Sequence, residues 1–331
     1  MKAAFHTGIK EITVRDVPKP VPGDDQYLVR ITHCAICGSD TWFADAPTEG
    51  EPIHGHEAVG IIEQCGKNAV KYKVGDRVVC YAIKGCGKCA YCKAGNPTNC
   101  QSGRQYIEGG FQEYSLYDDS ILFPCPEGAD PVIASLYSDA IGVPLRGLRR
   151  VKPEADDNVC VWGLGPLGLL QVMFLKAAGV KNIIGLDTVD WRLQKARELG
   201  AAHTVNPAKE DPVAAVRKIC GGIGADKSYT YVRNDKATAT VVECTRECGT
   251  ICTFVGLNGQ YSMPEYVERS MIWSFYFTPN EFEENMKFIR DHHIDLGKVV
   301  TDVVPLDRIN EGFLKRFEKQ SESLKVVISM E

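Results

Sequence analysis

The sequence predicts an α/β protein in which a mostly β region precedes a doubly wound parallel sheet. Short strand-type runs broken by Pro, Gly and Asp fill residues 1 to about 125. From residue 158 onward, buried-type strands alternate with helical stretches, the signature of βαβ units. A chain of 331 residues favours two domains over one.

The first residues, Met1 to His6, read as a strand. Further short β runs lie at 27–31, 58–63 and 77–81, with turn chemistry at 20–25 and 73–76 between them. Residues 158–162 form a buried-type strand, and 167–178 carry helical spacing, with Leu167, Leu170, Phe174 and Ala177 on one side. A second buried strand covers 182–187, and a helix from Asp190 stops at Gly200. Helices at 281–290 and 306–318 and a strand at 324–329 close the chain.

Hydrophobic residues make up 44% and charged residues 24%, the balance of an ordinary globular protein. A net charge of −5 argues against nucleic acid and anionic membranes as partners. No apolar run reaches the ~18 residues of a spanning helix, and the N-terminus has no apolar signal core. Fourteen cysteines spread along the chain, several in metal-site contexts, fit a reducing cytoplasm better than a disulfide scaffold.

Four of these cysteines, Cys86, Cys89, Cys92 and Cys100, stand at turn spacing among glycines and a proline. Such short loops deliver four thiolates to a tetrahedral zinc, and four thiolates close the shell, so this site is structural. The competing readings are unrelated free thiols or two disulfides, and a reducing compartment disfavours the second. The stretch Gly163-Leu164-Gly165-Pro166-Leu167-Gly168 follows a strand and opens a helix, and Asp187 ends the next strand 24 residues after Gly163. The glycines let the backbone approach a pyrophosphate at the helix N-terminus, and Asp187 suits the ribose hydroxyls of NAD. Arg192 stands nearby as a residue that accepts a 2′-phosphate or, more ordinarily, as a solvated helix residue. Upstream, Cys37-Gly38-Ser39-Asp40 and Gly55-His56-Glu57 offer a thiolate and an imidazole for a metal with an open position, with Asp40 and Glu57 as carboxylates behind them. One closed and one open site make two zincs per chain.

Taken with Lys73-Val74-Gly75-Asp76-Arg77-Val78, Gly109-Gly110-Phe111-Gln112-Glu113-Tyr114 and Lys325-Val326-Val327-Ile328, these motifs resemble the zinc-dependent medium-chain alcohol dehydrogenases over nearly the whole chain. That group includes sorbitol, threonine and alcohol dehydrogenases. The resemblance implies a GroES-like catalytic domain from residues 1–145 and 277–331, with the zinc lobe at 85–101 and a Rossmann domain inserted at 146–276. It implies zinc-assisted hydride transfer between NAD and an alcohol or carbonyl substrate, in a homodimer or homotetramer. The substrate it points to is a secondary alcohol: a polyol, sugar-like or hydroxy-amino compound.

The resemblance makes Ser39 the hydroxyl that passes the substrate proton outward, with Cys37, His56 and Glu57 beside it, and makes Lys325 a cofactor contact. The third zinc ligand is Asp139, from a Ser-Asp pair like that of formaldehyde-dehydrogenase-like relatives, with helix capping as its ordinary alternative and Cys125 as a rival.

Three departures stand out. Trp42 occupies the place of the usual relay histidine, so the relay ends in water, in the cofactor ribose or at another base such as His54. Val143-Pro144 replaces Thr-Gly, and residues 229–234 lack the usual small-residue loop. The alternatives are aldehyde oxidation or dismutation, a catalytically silent dinucleotide-binding relative, and a zinc-ribbon nucleic-acid module that the acidic chain disfavours.

Other candidates read plainly. His292 and His293 are solvated, since adjacent residues do not share a helical face. Cys34 makes an accidental C-x-x-C with Cys37. Cys244, Cys248 and Cys252 are buried small hydrophobes, and the run from Trp273 to Phe277 belongs to a core or a subunit interface.

Overall fold

The computed structural model describes residues 1–46, 55–107, 109–255, 268–318 and 322–331. The chain forms two compact units: Met1–Ala140 with Phe277–Met286 and Asp295–Glu331, and Ile141–Tyr276 with Lys287–Ile294.

In the first unit, strands β1 (Lys2–Gly8) and β2 (Glu11–Asp16) form an antiparallel hairpin. Strands β3 (Tyr27–Ala35), β4 (Glu57–Cys65) and β5 (Arg77–Cys80) run antiparallel in sequence. The ribbon of β6 (Ile83–Lys84) and β7 (Gln105–Tyr106) closes the base of the four-cysteine loop, which carries the short helix α1 (Ala90–Lys93). Strand β8 (Tyr114–Tyr117) pairs with β3, and β9 (Leu122–Pro124) pairs with β5. Helix α2 (Pro131–Ala134) is capped by Asp130, whose carboxylate accepts from Val132 N at 2.8 Å.

The second unit opens with α3 (Gly142–Val151) and β10 (Asn158–Trp162), then α4 (Pro166–Ala177), β11 (Asn182–Leu186) and α5 (Asp190–Leu199). It continues with β12 (His203–Val205), α6 (Pro212–Ile219), β13 (Ala225–Thr230), α7 (Asp235–Cys244), β14 (Thr245–Thr253) and β15 (Ser270–Trp273). All these strands are parallel, in the order β12-β11-β10-β13-β14-β15. The order turns at β10, where β11 and β13 flank it on either side, and such switch points hold ligands in doubly wound sheets. Val143 and Pro144 lie in the first turn of α3, where a missing proline N–H breaks no helical bond. The apolar runs of β10 and β11 are buried on both faces, with Cys160, Trp162, Ile184 and Leu186 in one core.

The chain then enters α8 (Phe282–Asp291), β16 (Val300–Pro305), α9 (Ile309–Phe317) and β17 (Lys325–Ser329). Strand β17 pairs antiparallel with β3, with Val327 opposite Ala35 and Ile328 opposite Cys34, so both chain ends build one seven-stranded sheet. The structural division falls at 140/141, and the second half of α8 groups with the parallel sheet.

Aromatic packing fixes α9. Phe313 is fully buried, with ring centroids 5.2 Å from Trp42, 5.1 Å from Phe43 and 5.4 Å from Phe111. A Cβ on Gly312 would meet Ile328 Cδ1 at 2.9 Å, so a larger residue there would have to move the tip of that side chain where α9 lies on β17.

One sequence expectation changes here. Cys244 and Cys252 are buried, but Cys248 is exposed, because its backbone takes a left-handed φ of 58° where β14 passes an irregularity. The aromatic run divides: Phe277 is fully buried, whereas Trp273 on the edge strand β15 is 55% exposed. His292 and His293 are exposed. Truncating Phe313 to alanine is expected to cost about 3–5 kcal/mol of stability, read as a lower urea midpoint at unchanged slope.

Candidate metal and dinucleotide sites

Cys37 lies just beyond the end of β3, and His56 and Glu57 stand at the start of β4. Asp139 follows the 3₁₀ turn Ser135–Ser138, with a backbone outside regular structure. These four residues, distant in sequence, bring one ligand atom each to within 4.8 Å of one another. Cys37 Sγ is 3.7 Å from Asp139 Oδ2, and His56 Nε2 is 3.6 Å from the same oxygen. Tetrahedral zinc with bonds of ~2.0–2.3 Å requires ligand edges of roughly 3.4–3.8 Å, and these separations match.

The donor set also asks for a cation. Asp139 Oδ1 is buried without a hydrogen-bond partner among the described residues. Burial opposes charge on His56, yet the Cys37 thiolate, Asp139 and Asp40 outweigh it and hold the imidazole well above its ordinary pKa. A metal ion relieves the same excess of negative charge, with the imidazole neutral and ligating. Cys125 takes no part in this cluster, and burial pushes its thiol up to about 11.

The supporting carboxylates divide their work. Asp40 Oδ2 accepts from Cys37 N at 2.9 Å, and its Oδ1 stands 3.8 Å from His56 Nδ1. One carboxylate thus braces the cysteine backbone and faces the outer nitrogen of the imidazole. Glu57 is fully buried and pairs with Lys325 through one oxygen, while its other oxygen is buried without a partner among the described residues.

Lys325 has partners that the sequence did not indicate. Its ammonium is 2% exposed and donates to Glu57 and, at 3.2 Å, to the Ile36 carbonyl. Burial disfavours the charge, but Glu57 and the Cys37 thiolate prevail and raise its pKa. The sequence offered no signal for this pair, because the two residues are 268 positions apart. Ser39 is exposed beside Cys37. Trp42 is half-buried, edge-on to His6 at 5.3 Å, and serves packing. His54 lies outside the described residues.

In the four-cysteine loop, Cys86, Cys89, Cys92 and Cys100 also bring their sulfurs within 4.8 Å of one another. Backbone N–H groups already point at the sulfurs, with Cys86 N 3.3 Å from Cys100 Sγ and Cys89 N 3.4 Å from Cys86 Sγ. Backbone hydrogen bonds from Lys88 and Cys89 bring the Cys86 thiol down to about 6, whereas burial pushes Cys92 up to about 12. A cation shared by all four sulfurs makes every one a thiolate. Gly85 has no room for a side chain, since a Cβ would meet Cys92 Sγ at 2.5 Å.

The glycine motif sits at the turn from β10 to α4. Gly163 has a left-handed φ of 82°, and a Cβ on Gly168 would lie 1.9 Å from the Gly163 carbonyl oxygen. Gly165 caps α4 without a side-chain hydrogen bond, Pro166 begins the helix, and the space beside Gly165 is open. The uncapped N–H groups of a 12-residue helix are what a pyrophosphate needs. Leu167 follows in the same first turn. Asp187 accepts from Leu164 N at 2.7 Å and Val189 N at 3.0 Å, which ties β11 to the motif. Arg192 Nη1 stands 3.8 Å from Asp187 Oδ2.

Sequence reasoning missed an aromatic wall beside this motif. Tyr231 stacks on Phe254 with centroids 4.5 Å apart and donates to Gln171 Oε1 at 2.8 Å. Val232 fills the space next to Gly163.

Known proteins resemble this chain. Residues 23–127 match the family model of the alcohol dehydrogenase GroES-like domain, and residues 166–291 match that of zinc-binding dehydrogenase. The chain is similar to sorbitol dehydrogenase of Bacillus subtilis (strain 168), 26% identical over 99% of this chain and 97% of that protein. It is similar to L-galactonate-5-dehydrogenase of Escherichia coli (strain K12), 30% identical over 97% of this chain and 96% of the relative. The crystal structure of an alcohol dehydrogenase from Thermus sp. ATN1 shares the fold with a TM-score of 0.91 at 23% identity, covering 99% of each chain.

Replacing Cys89 by serine is expected to lower metal content from about two to about one zinc per chain, with an earlier thermal transition. Metal analysis and a melting curve on one sample check it.

Proposed function

Because the chain belongs to the zinc-dependent medium-chain alcohol dehydrogenase family, we propose that it transfers a hydride between a secondary alcohol and NAD. The alcohol is a polyol, a sugar-like compound or a hydroxy-amino compound, and the names of the sorbitol and galactonate relatives support the first two. The observation that carries this reading is the convergence of Cys37, His56 and Asp139 at tetrahedral separations.

In this reading Cys37, His56 and Asp139 hold the open zinc, and the four-cysteine loop holds the closed one. When bound, zinc supplies a Lewis acid for the alcohol oxygen, and the nicotinamide supplies the hydride acceptor. Asp40 fixes the orientation of His56 and of the Cys37 backbone. Glu57, neutralised in part by Lys325, keeps a carboxylate oxygen next to the ligand set. The exposed hydroxyl of Ser39 takes the alcohol proton and passes it to solvent. The first turn of α4 at Gly165, Pro166 and Leu167 takes the cofactor phosphates, and Asp187 takes the adenosine ribose, which favours NAD over NADP. Arg192 lies against Asp187 and neutralises part of its charge. No feature of the described residues favours the aldehyde-oxidising or the silent alternative.

Two finer readings follow. No described helix is long and apolar enough to cross a membrane. None of the fourteen cysteines is in a disulfide, which supports a reducing cytoplasm. The edge strand β15 presents Trp273, and Phe275 beyond it is 43% exposed, which supports a homodimer or homotetramer built through this edge.

NADH formation on a panel of polyols, hydroxy acids, hydroxy amino acids and simple alcohols, run with metal analysis, tests the function. Cys37→Ser is expected to lose the open-site zinc and at least about 1,000-fold in turnover, while NADH binding measured by fluorescence persists. Turnover that survives in that variant would sink the metal assignment. Trp273→Glu is expected to shift the mass measured by light scattering toward the monomer.

A further inference from the structure

Helix α9 brings a cationic side chain beside Gly38, the residue that follows Cys37. Arg316 stands in the last turn of α9. The place that a Cβ on Gly38 would occupy lies 3.1 Å from Arg316 Nη2. Gly38 separates Cys37 from Ser39, and Gly38 and Ser39 are both exposed. A guanidinium therefore covers the backbone that joins a ligand thiolate to the exposed hydroxyl.

The placement is built into the packing. The 3₁₀ turn Thr41–Ala44 follows Ser39 and Asp40 directly, and its Trp42 and Phe43 clamp Phe313 of α9. Phe317, one residue beyond Arg316, lies 6.1 Å from Phe43, and the Arg316 guanidinium carbon is 5.5 Å from the Phe317 ring. The segment that carries Cys37 and Ser39 thus grips the helix that returns Arg316 to Gly38. This gives Trp42 a physical role: it anchors the helix that positions the charge. Any side chain at position 38 would push the guanidinium aside.

A planar guanidinium matches a carboxylate with two parallel hydrogen bonds. Arg316 makes contacts of its own within the fold, and the five N–H donors of a guanidinium allow more than one partner. We propose that Arg316 is the oxyanion-binding residue of the Cys37–His56–Asp139 site, taking the carboxylate of a hydroxy-acid substrate. This rests on the reading of that cluster as the open zinc site. It narrows the substrate from any secondary alcohol toward acids.

Matched substrates test the carboxylate contact. Wild type and Arg316→Gln are compared on gluconate against sorbitol and on lactate against 2-propanol, with ADP-ribose affinity measured by calorimetry. The result expected is a KM about 10- to 100-fold higher for the acids only, with ADP-ribose affinity unchanged. A loss in ADP-ribose affinity, with the acid-to-alcohol ratio unchanged, overturns the proposal. Arg316→Lys, which keeps the charge without the fork, is expected to recover part of the loss. Unchanged constants on both arms overturn the proposal. So does a uniform loss in Arg316→Gln with a lowered melting temperature that Arg316→Lys repairs without any anion preference. If no substrate turns over, calorimetry with gluconate and lactate still decides. Weakened binding of either acid in Arg316→Gln supports the site while the dehydrogenase reading fails, and equal or absent binding in both proteins overturns it.

Discussion

The pairing of the last strand with the third is the constraint on which the rest of the first unit depends. Once Val327 lies opposite Ala35, the Ile36 amide donates to Val326 and the chain leaves β3 at Cys37. On the other side of β3, Glu57 stands opposite the same Ala35. Lys325, two residues before Val327, is thereby buried against Glu57. A buried charge pair of this kind stabilises little in net terms, but losing either partner leaves an uncompensated charge worth about 3–5 kcal/mol. The pair therefore disfavours other registers of the chain ends and holds Glu57 next to the metal ligands.

Around this pair the site is a concentration of negative charge with a polar frame. Two carboxylates and a thiolate crowd one imidazole, and one Asp139 oxygen finds no partner among the described residues. Such an arrangement is costly without a cation and is the donor set that a metal ion stabilises. The four-cysteine loop meets the same requirement by local means, with turns at Gly85, Gly87 and Gly95 and backbone amides directed at the sulfurs. The two centres differ in origin: one is assembled within a single loop, the other from three segments that only the sheet brings together.

The local motifs were legible because their geometry is short-range. The C-x-x-C-x-x-C spacing, the strand-glycine-helix turn and the helix stop at Gly200 depend on neighbours along the chain, and they stand where the sequence puts them. Cys37, His56 and Asp139 were legible as candidates through residue type and resemblance, although nothing in their spacing says they meet. The buried pairing of Lys325 with Glu57 was not legible, because only the strand register brings the two residues together. Cys248 was misread because a strand irregularity, which periodicity does not encode, turned one side chain outward.

By itself the sequence determined the α/β class, the four-cysteine loop and the glycine-rich strand-to-helix turn, since each is set by residues within hydrogen-bonding reach along the chain. The tertiary structure alone decided the partners of Glu57 and Lys325, the exclusion of Cys125, the aromatic wall at Tyr231 and the position of Arg316 over Gly38. Those depend on strand order and helix packing between segments up to hundreds of residues apart, where burial and charge compensation select the contacts and sequence spacing carries no information about them.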